Sequence, residues 1–177
     1  MRAFLTLFAI GSLALSVNAK DSLALYLFLL DDCVICQDYT PTLNNLHEEH
    51  GELVTFVGLF PNFSSKPEKI EQFAEKYSIT FDLQTDYFKT MAAALGATIT
   101  PEAVLVNVST DEILYRGRID NKFVRRGKRR HVVTDHTLAA AIELALADSN
   151  AKTEYRDAVG CYINYSDAIS KYQLSKD

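Results

Sequence analysis

Tryptophan is absent from the 177 residues, and cysteine occurs only three times. Three cysteines are too few to staple a disulfide scaffold, so each has to be read for its own chemistry. An excess of basic residues is also lacking: 18 Lys and Arg stand against 23 Asp and Glu, a formal charge of −5. A net acidic chain does not offer the positive surface that sequence-independent DNA or RNA binding needs, so nucleic acid is not expected as a partner. There is no internal repeat and no low-complexity tract. Apolar residues, by contrast, make up 48% of the chain, enough to bury a core of ordinary domain size.

The longest apolar stretch is N-terminal. Arg2 supplies a positive start, and Ala3 to Val17 is apolar apart from Thr6, Gly11, Ser12 and Ser16. Val17-Asn18-Ala19 then puts small residues where a signal peptidase reads. The stretch is too short and too interrupted for a comfortable membrane span. Residues 1–19 are therefore expected to be a cleaved secretory signal, with no stable membrane insertion afterwards. The protein is expected to be exported, into the periplasm if the cell is Gram-negative, where thiols oxidise readily. Residues 20–150 are expected to form the domain, and 151–177 a polar, tyrosine-rich tail carrying Cys161.

Within the domain, apolar runs of strand length alternate with helical patterns. Leu23 to Leu30 is continuously apolar, as suits a parallel strand buried on both faces. Ile35, Tyr39, Leu43 and Leu46 then share a helix face, with Pro41 inside the pattern. Leu53 to Phe60 reads as a second buried strand. Ser65 and Glu68 read as a capping box around Pro67, opening a helix that turns Ile70, Phe73 and Tyr77 inward. Ile79 to Leu83 reads as a short strand, and Tyr87 to Leu95 as a helix stopped by Gly96. Ala103 to Val106 and Ile113 to Tyr115 read as a hairpin. Asp135 is expected to cap a last helix with Leu138, Ile142 and Leu146 inward. The order describes an α/β protein, a central mixed β-sheet with helices on both faces.

Cys33-Val34-Ile35-Cys36 lies where the first strand passes into the first helix. A sulfur at a helix N-terminus meets unpaired N–H groups and the positive end of the dipole, which stabilise a thiolate. A second sulfur one turn on is close enough to form a disulfide with it. Cys33 thus reads as a nucleophile and Cys36 as its resolving group, both open to solvent at the mouth of the sheet. A permanent disulfide, two ordinary core thiols or half of a zinc site are the alternatives. No second C-x-x-C or H-x-x-x-H completes the last. The four histidines fit no metal-ligand spacing and read as surface residues.

This C-x-x-C at a helix start resembles the thioredoxin fold. Pro41 stands five residues past Cys36, where thioredoxins place a helix-kinking proline. Thr100-Pro101 precedes a strand and resembles the cis-proline loop that faces the disulfide in that fold. Ala94 to Ala103, Tyr115 to Asn121, and Ala158-Val159-Gly160-Cys161-Tyr162-Ile163 are together similar to the redoxin branch, the alkyl-hydroperoxide-reductase/thiol-specific-antioxidant group. The resemblance covers about residues 23 to 163. It implies a thioredoxin-like fold in which Thr100 and Pro101 position a substrate segment by strand-like pairing.

The departures also carry information. Peroxiredoxins have Pro and Thr or Ser where this chain has Tyr26 and Leu30, so the hydroxyl that helps bind peroxide is missing. Thioredoxins keep a buried Asp where Leu27 stands here, leaving Asp31, Asp32 or Glu102 as candidate proton acceptors for Cys36. Asp31 and Asp32 oppose the helix dipole and are expected to keep Cys33 less acidic, which suits a reductant or exchange catalyst. Arg116 and Arg118 alternate, so both are expected on one side, to neutralise a thiolate, bind a partner carboxylate or form an edge salt bridge. Cys161 reads as a small apolar anchor packing the tail, or, if the tail folds back to the redox centre, as a third thiol there or part of a soft metal site. Arg125 to Arg130 reads as a solvated basic loop, with docking of an acidic partner as the rival.

The expected function is an exported thiol-disulfide oxidoreductase that needs no bound cofactor or metal. Its partners are a protein disulfide or thiol substrate and an upstream redox partner. A thiol peroxidase using Cys33 and a Cu(I)-handling protein are the alternatives.

Overall fold

The computed structural model describes residues 23–166; the expected signal segment and the last eleven residues lie outside them. Five strands make the central sheet: β1 (Leu23–Phe28), β2 (Thr55–Phe60), β3 (Asp82–Thr85), and, after the two-residue strand β4 (Ile99–Thr100), β5 (Glu102–Asn107) and β6 (Glu112–Gly117). Their spatial order is β3-β2-β1-β5-β6. β1 and β2 pair in parallel, as do β2 and β3, whereas β5 runs antiparallel to both β1 and β6. The sheet is therefore mixed, as the sequence predicts.

Side-chain alternation divides the core in two. Leu23, Leu25 and Leu27 of β1 and Ala103 and Leu105 of β5 join a large cluster with residues of α1 (Val34–His50), α2 (Pro67–Tyr77) and α4 (Thr137–Ala147). Phe28, Leu59, Val104 and Val106 face the other way, onto Ala92 of α3 (Thr90–Leu95), Ala97 and Ile163. Helices thus cover both faces. Each fully buried Leu or Phe contributes on the order of 1.5–3 kcal/mol of transfer free energy, so these two layers carry the fold.

Pro41 sits inside α1, where it cannot donate to the carbonyl of Gln37. The Thr40 hydroxyl donates to that carbonyl instead, at 2.8 Å, and the helix continues for nine residues past the proline. Two expected caps are absent. Lys66, not Ser65, precedes α2, and the buried Ser65 hydroxyl donates to Asp31. His136 precedes α4, and Asp135 is drawn instead into an ion pair with Arg118. His50 is not on the surface but 7% exposed, because the last turn of α1 folds in where the chain turns toward β2.

The tail from residue 151 packs against the domain. Thr153 donates to the Leu114 carbonyl at 2.9 Å, and Arg118 donates to that of Arg156 at 3.0 Å, so the tail covers the open edge of β6. Gly117, at φ +148°, permits this approach: a Cβ there would lie 2.2 Å from the Arg156 carbonyl oxygen. The chain then enters β9 (Cys161–Tyr162), which pairs antiparallel with β4. The basic run forms a separate exposed hairpin of β7 (Phe123–Arg125) and β8 (Lys128–Arg129), with Arg129 3.5 Å from Asp38.

Candidate functional site

β1 delivers the chain to the carboxyl edge of the sheet, and Cys33 is the residue that precedes α1 there. Its backbone is extended (φ −83°, ψ 112°), and its carbonyl accepts the first helical hydrogen bond, from Gln37 at 3.0 Å. Cys36 follows on the inner face of α1, fully buried, and accepts a bond from the Leu30 amide at 3.4 Å. The Thr100–Pro101 bond is cis, and the Cys33 Sγ lies 3.8 Å from the Thr100 carbonyl oxygen. The fold therefore brings together Cys33, Cys36, Thr100 and Pro101, four residues that the sequence marks from two distant segments.

A fifth joins them. The Cys161 thiol lies 3.6 Å from the Cys33 Sγ, carried there by β9, in which Cys161 stands opposite Thr100 and Tyr162 opposite Ile99. The Thr100 hydroxyl donates to the Cys161 carbonyl at 3.3 Å, and Ile163 donates to that of Thr98 at 2.9 Å. This corrects one expectation. Cys33 is only 4% exposed, not open to solvent, because the tail strand lies over it.

The acidity of Cys33 is a second correction. The Cys36 thiol donates to the Cys33 sulfur, and this bond outweighs desolvation and draws Cys33 down to about 6. Burial, with the bond to Cys33, holds Cys36 well above the ordinary thiol value. Burial likewise raises Cys161. The two neighbouring carboxylates do not prevail: Asp31 is bonded to Ser65, and Asp32 points to solvent. A stabilised thiolate makes Cys33 a ready attacking group in thiol-disulfide exchange. Alkylation of Cys33 by iodoacetamide is expected to be half-maximal near pH 6, and in Cys36→Ala to move up toward the ordinary value of 9.0. An unchanged midpoint in that variant would remove the sulfur–sulfur bond as its cause.

None of the three candidate proton acceptors hydrogen-bonds Cys36 among the described residues. Glu102 lies on the opposite face, since Ala103 and Leu105 share the cluster of the cysteines and Val104 and Val106 do not. Its carboxylate accepts from the Thr98 and Ile99 amides at 2.8 and 3.3 Å, and burial raises its pKa. Glu102 thus shapes the loop carrying β4. Arg116 and Arg118 do not face one side, because Gly117 breaks the alternation between them. Arg116 reaches the Gly96 carbonyl at 3.0 Å behind α3, and Arg118 pairs with Asp135 ahead of α4.

Sequence reasoning missed two supports of the site. Tyr39, one turn beyond Cys36, donates to the buried carboxylate of Asp120 at 2.6 Å, and the pair lines a small space with Pro101 and Val159. Ser65, read as a cap, instead anchors the loop before Cys33.

The fold is similar to several solved structures. A conserved uncharacterized protein from Geobacillus kaustophilus superposes with a TM-score of 0.67 at 22% identity, over 85% of this chain and 80% of that one. A putative thioredoxin from Neisseria meningitidis gives 0.56 at 17%, over 76% and 81%. A secreted Mycobacterium tuberculosis disulfide oxidoreductase homologous to Escherichia coli DsbE gives 0.51 at 17%, over 71% and 84%. No curated protein matches the chain. The AhpC/TSA family matches residues 8–124, which include both cysteines of the pair and the cis-proline loop but stop short of the tail. Since that match spans about two thirds of the sequence, the chain belongs to the AhpC/TSA family, a redox family, and is built on the thioredoxin-like fold.

Proposed function

We propose that the protein is an exported thiol-disulfide oxidoreductase acting on protein partners. The Cys33 thiolate attacks a partner disulfide, forming a Cys33–partner bond and releasing one partner thiolate. Cys36 then attacks the Cys33 sulfur, the second partner thiol leaves, and a Cys33–Cys36 disulfide remains for an upstream redox partner to reduce. The observation that carries this reading is the meeting of the Cys33/Cys36 pair at the start of α1 with the cis Thr100–Pro101 loop, the Cys33 Sγ lying 3.8 Å from the Thr100 carbonyl oxygen. An edge residue beside a cis-proline suits strand-like pairing with an incoming segment, which orients its disulfide toward Cys33.

Export rests on the Arg2 start, the Ala3–Val17 stretch and the small residues at Val17 and Ala19. The Mycobacterium tuberculosis neighbour is a secreted disulfide oxidoreductase, which accords with it. No helix among the described residues is long and apolar enough to cross a membrane. The test is reduction of insulin disulfides by the protein with dithiothreitol as electron source. Activity that survives Cys33→Ser would end the proposal.

A further inference from the structure

The tail strand occupies the place where a partner would be expected. Partner recognition at this site calls for an extended segment paired with the edge at Thr100, presenting a sulfur to Cys33. β9 has each of those properties. It runs antiparallel to β4 in register Thr100–Cys161, is clamped at both ends of the pairing, and places its sulfur 3.6 Å from the Cys33 Sγ. The approach is as close as a backbone allows: a Cβ on Gly160 would lie 1.8 Å from the Thr100 carbonyl oxygen. Ile163 is buried in the second core cluster and the Tyr165 hydroxyl donates to the Ala97 carbonyl, so the strand is held beyond the cysteine as well.

Resting on the oxidoreductase reading, we propose that residues 160–163 are an internal substrate strand and that Cys161 is an alternative disulfide partner of Cys33. In the exchange, the Cys161 thiolate attacks the Cys33 sulfur of the Cys33–Cys36 disulfide. The Cys33–Cys161 bond forms, the Cys33–Cys36 bond breaks, and Cys36 leaves as a thiolate that takes up the proton lost by Cys161. No external oxidant or reductant is consumed. Closing the gap from 3.6 Å to a disulfide bond length of about 2.05 Å is within the reach of side-chain rotation at two cysteines. The new bond latches the strand over the site. Attack by Cys36 in the reverse step removes the covalent tie and leaves the strand held only by the β4 pairing and the packing of Ile163, which an external partner can displace from the Thr100 edge. The oxidised protein thus has two interconverting forms, one closed by its own tail and one able to receive a visitor.

Disulfide mapping tests this on the full chain. Wild type and Cys36→Ser are equilibrated in glutathione redox buffers, quenched with acid, alkylated and digested for mass spectrometry. Cys36→Ser is expected to carry Cys33–Cys161 as its main linkage, and the wild type to carry both Cys33–Cys36 and Cys33–Cys161. The proposal is overturned if the wild type holds Cys33–Cys36 alone and Cys161 stays freely alkylated in both proteins. Capture of Cys33 only by glutathione in Cys36→Ser, or a dimer linked through Cys161, would also overturn it. The wild-type mapping stands whether or not the variant folds. Insulin reduction that depends on Cys33 without a Cys33–Cys161 linkage sinks the internal strand alone. The linkage without Cys33-dependent reduction sinks the oxidoreductase reading alone.

Discussion

Insulin-disulfide reduction is expected to fall at least about a hundredfold in Cys33→Ser, because losing the nucleophile removes the covalent route itself. A serine hydroxyl at the start of α1 is not ionised near neutral pH, whereas Cys33 is drawn down to about 6 and is mostly thiolate. Removing the resolving sulfur has a different signature. With Cys36 and Cys161 both changed to serine, Cys33 still attacks, but no second sulfur lies within reach to release the partner. A one-to-one mixed disulfide is then expected to accumulate, visible as a shifted band without reductant and as a mass increase equal to the partner. Turnover that is unaffected in the doubly substituted protein would show that Cys36 is not the resolving group. The double substitution matters because Cys161, at 3.6 Å, is otherwise placed to substitute for Cys36.

Gly160→Ala is expected to uncover Cys33. The clash it introduces is with the carbonyl oxygen and carbon of Thr100, at 1.8 and 2.6 Å, and these are backbone atoms that no rotamer change can move. The strand has to leave instead. In doing so it takes the 3.3 Å bond from the Thr100 hydroxyl and the 2.9 Å bond from Ile163 with it. Overpacking of this kind costs on the order of 1–3 kcal/mol, which the two-layer core can absorb without unfolding. Cys33, 4% exposed in the intact protein, then meets solvent, and its alkylation rate is expected to rise by about an order of magnitude or more. Insulin reduction is expected to quicken in step, since the Thr100 edge is vacated. Equal alkylation rates in the two proteins would mean that the tail does not guard the site.

The two substitutions act on different layers of the site, and so separate chemistry from access. Glu102, although buried and adjacent to Pro101, belongs to neither layer. It holds the amides of Thr98 and Ile99 and so fixes where Thr100 sits, from behind the sheet. The Tyr39–Asp120 pair does the comparable work beneath Pro101.

Much of this protein is determined by its sequence alone, because the signals are local. A continuous apolar run of strand length, a 3.6-residue helical period and a hairpin turn between two short apolar runs each act over a few neighbours. They suffice to order β1, α1, β2, α2, β5, β6 and α4, and to place Cys33 and Cys36 at a strand-to-helix junction. The likeness to the thioredoxin fold already set Thr100 and Pro101 opposite the cysteines, and tertiary structure alone decided which other distant groups meet there. The acidity of Cys33 follows a sulfur one turn away and another 128 residues on, not the carboxylates beside it in the chain. The duty of Ser65 follows from Asp31 lying within reach, and the side taken by Glu102 from the register of β5 against β1. The burial of Cys33 follows from the docking of the tail, whose Cys161–Tyr162 strand pairs with the backbone groups of β4 and whose Ile163 packs into the second core cluster. Hydrogen bonding and desolvation depend on the spatial neighbour, and chain order fixes only the sequential one.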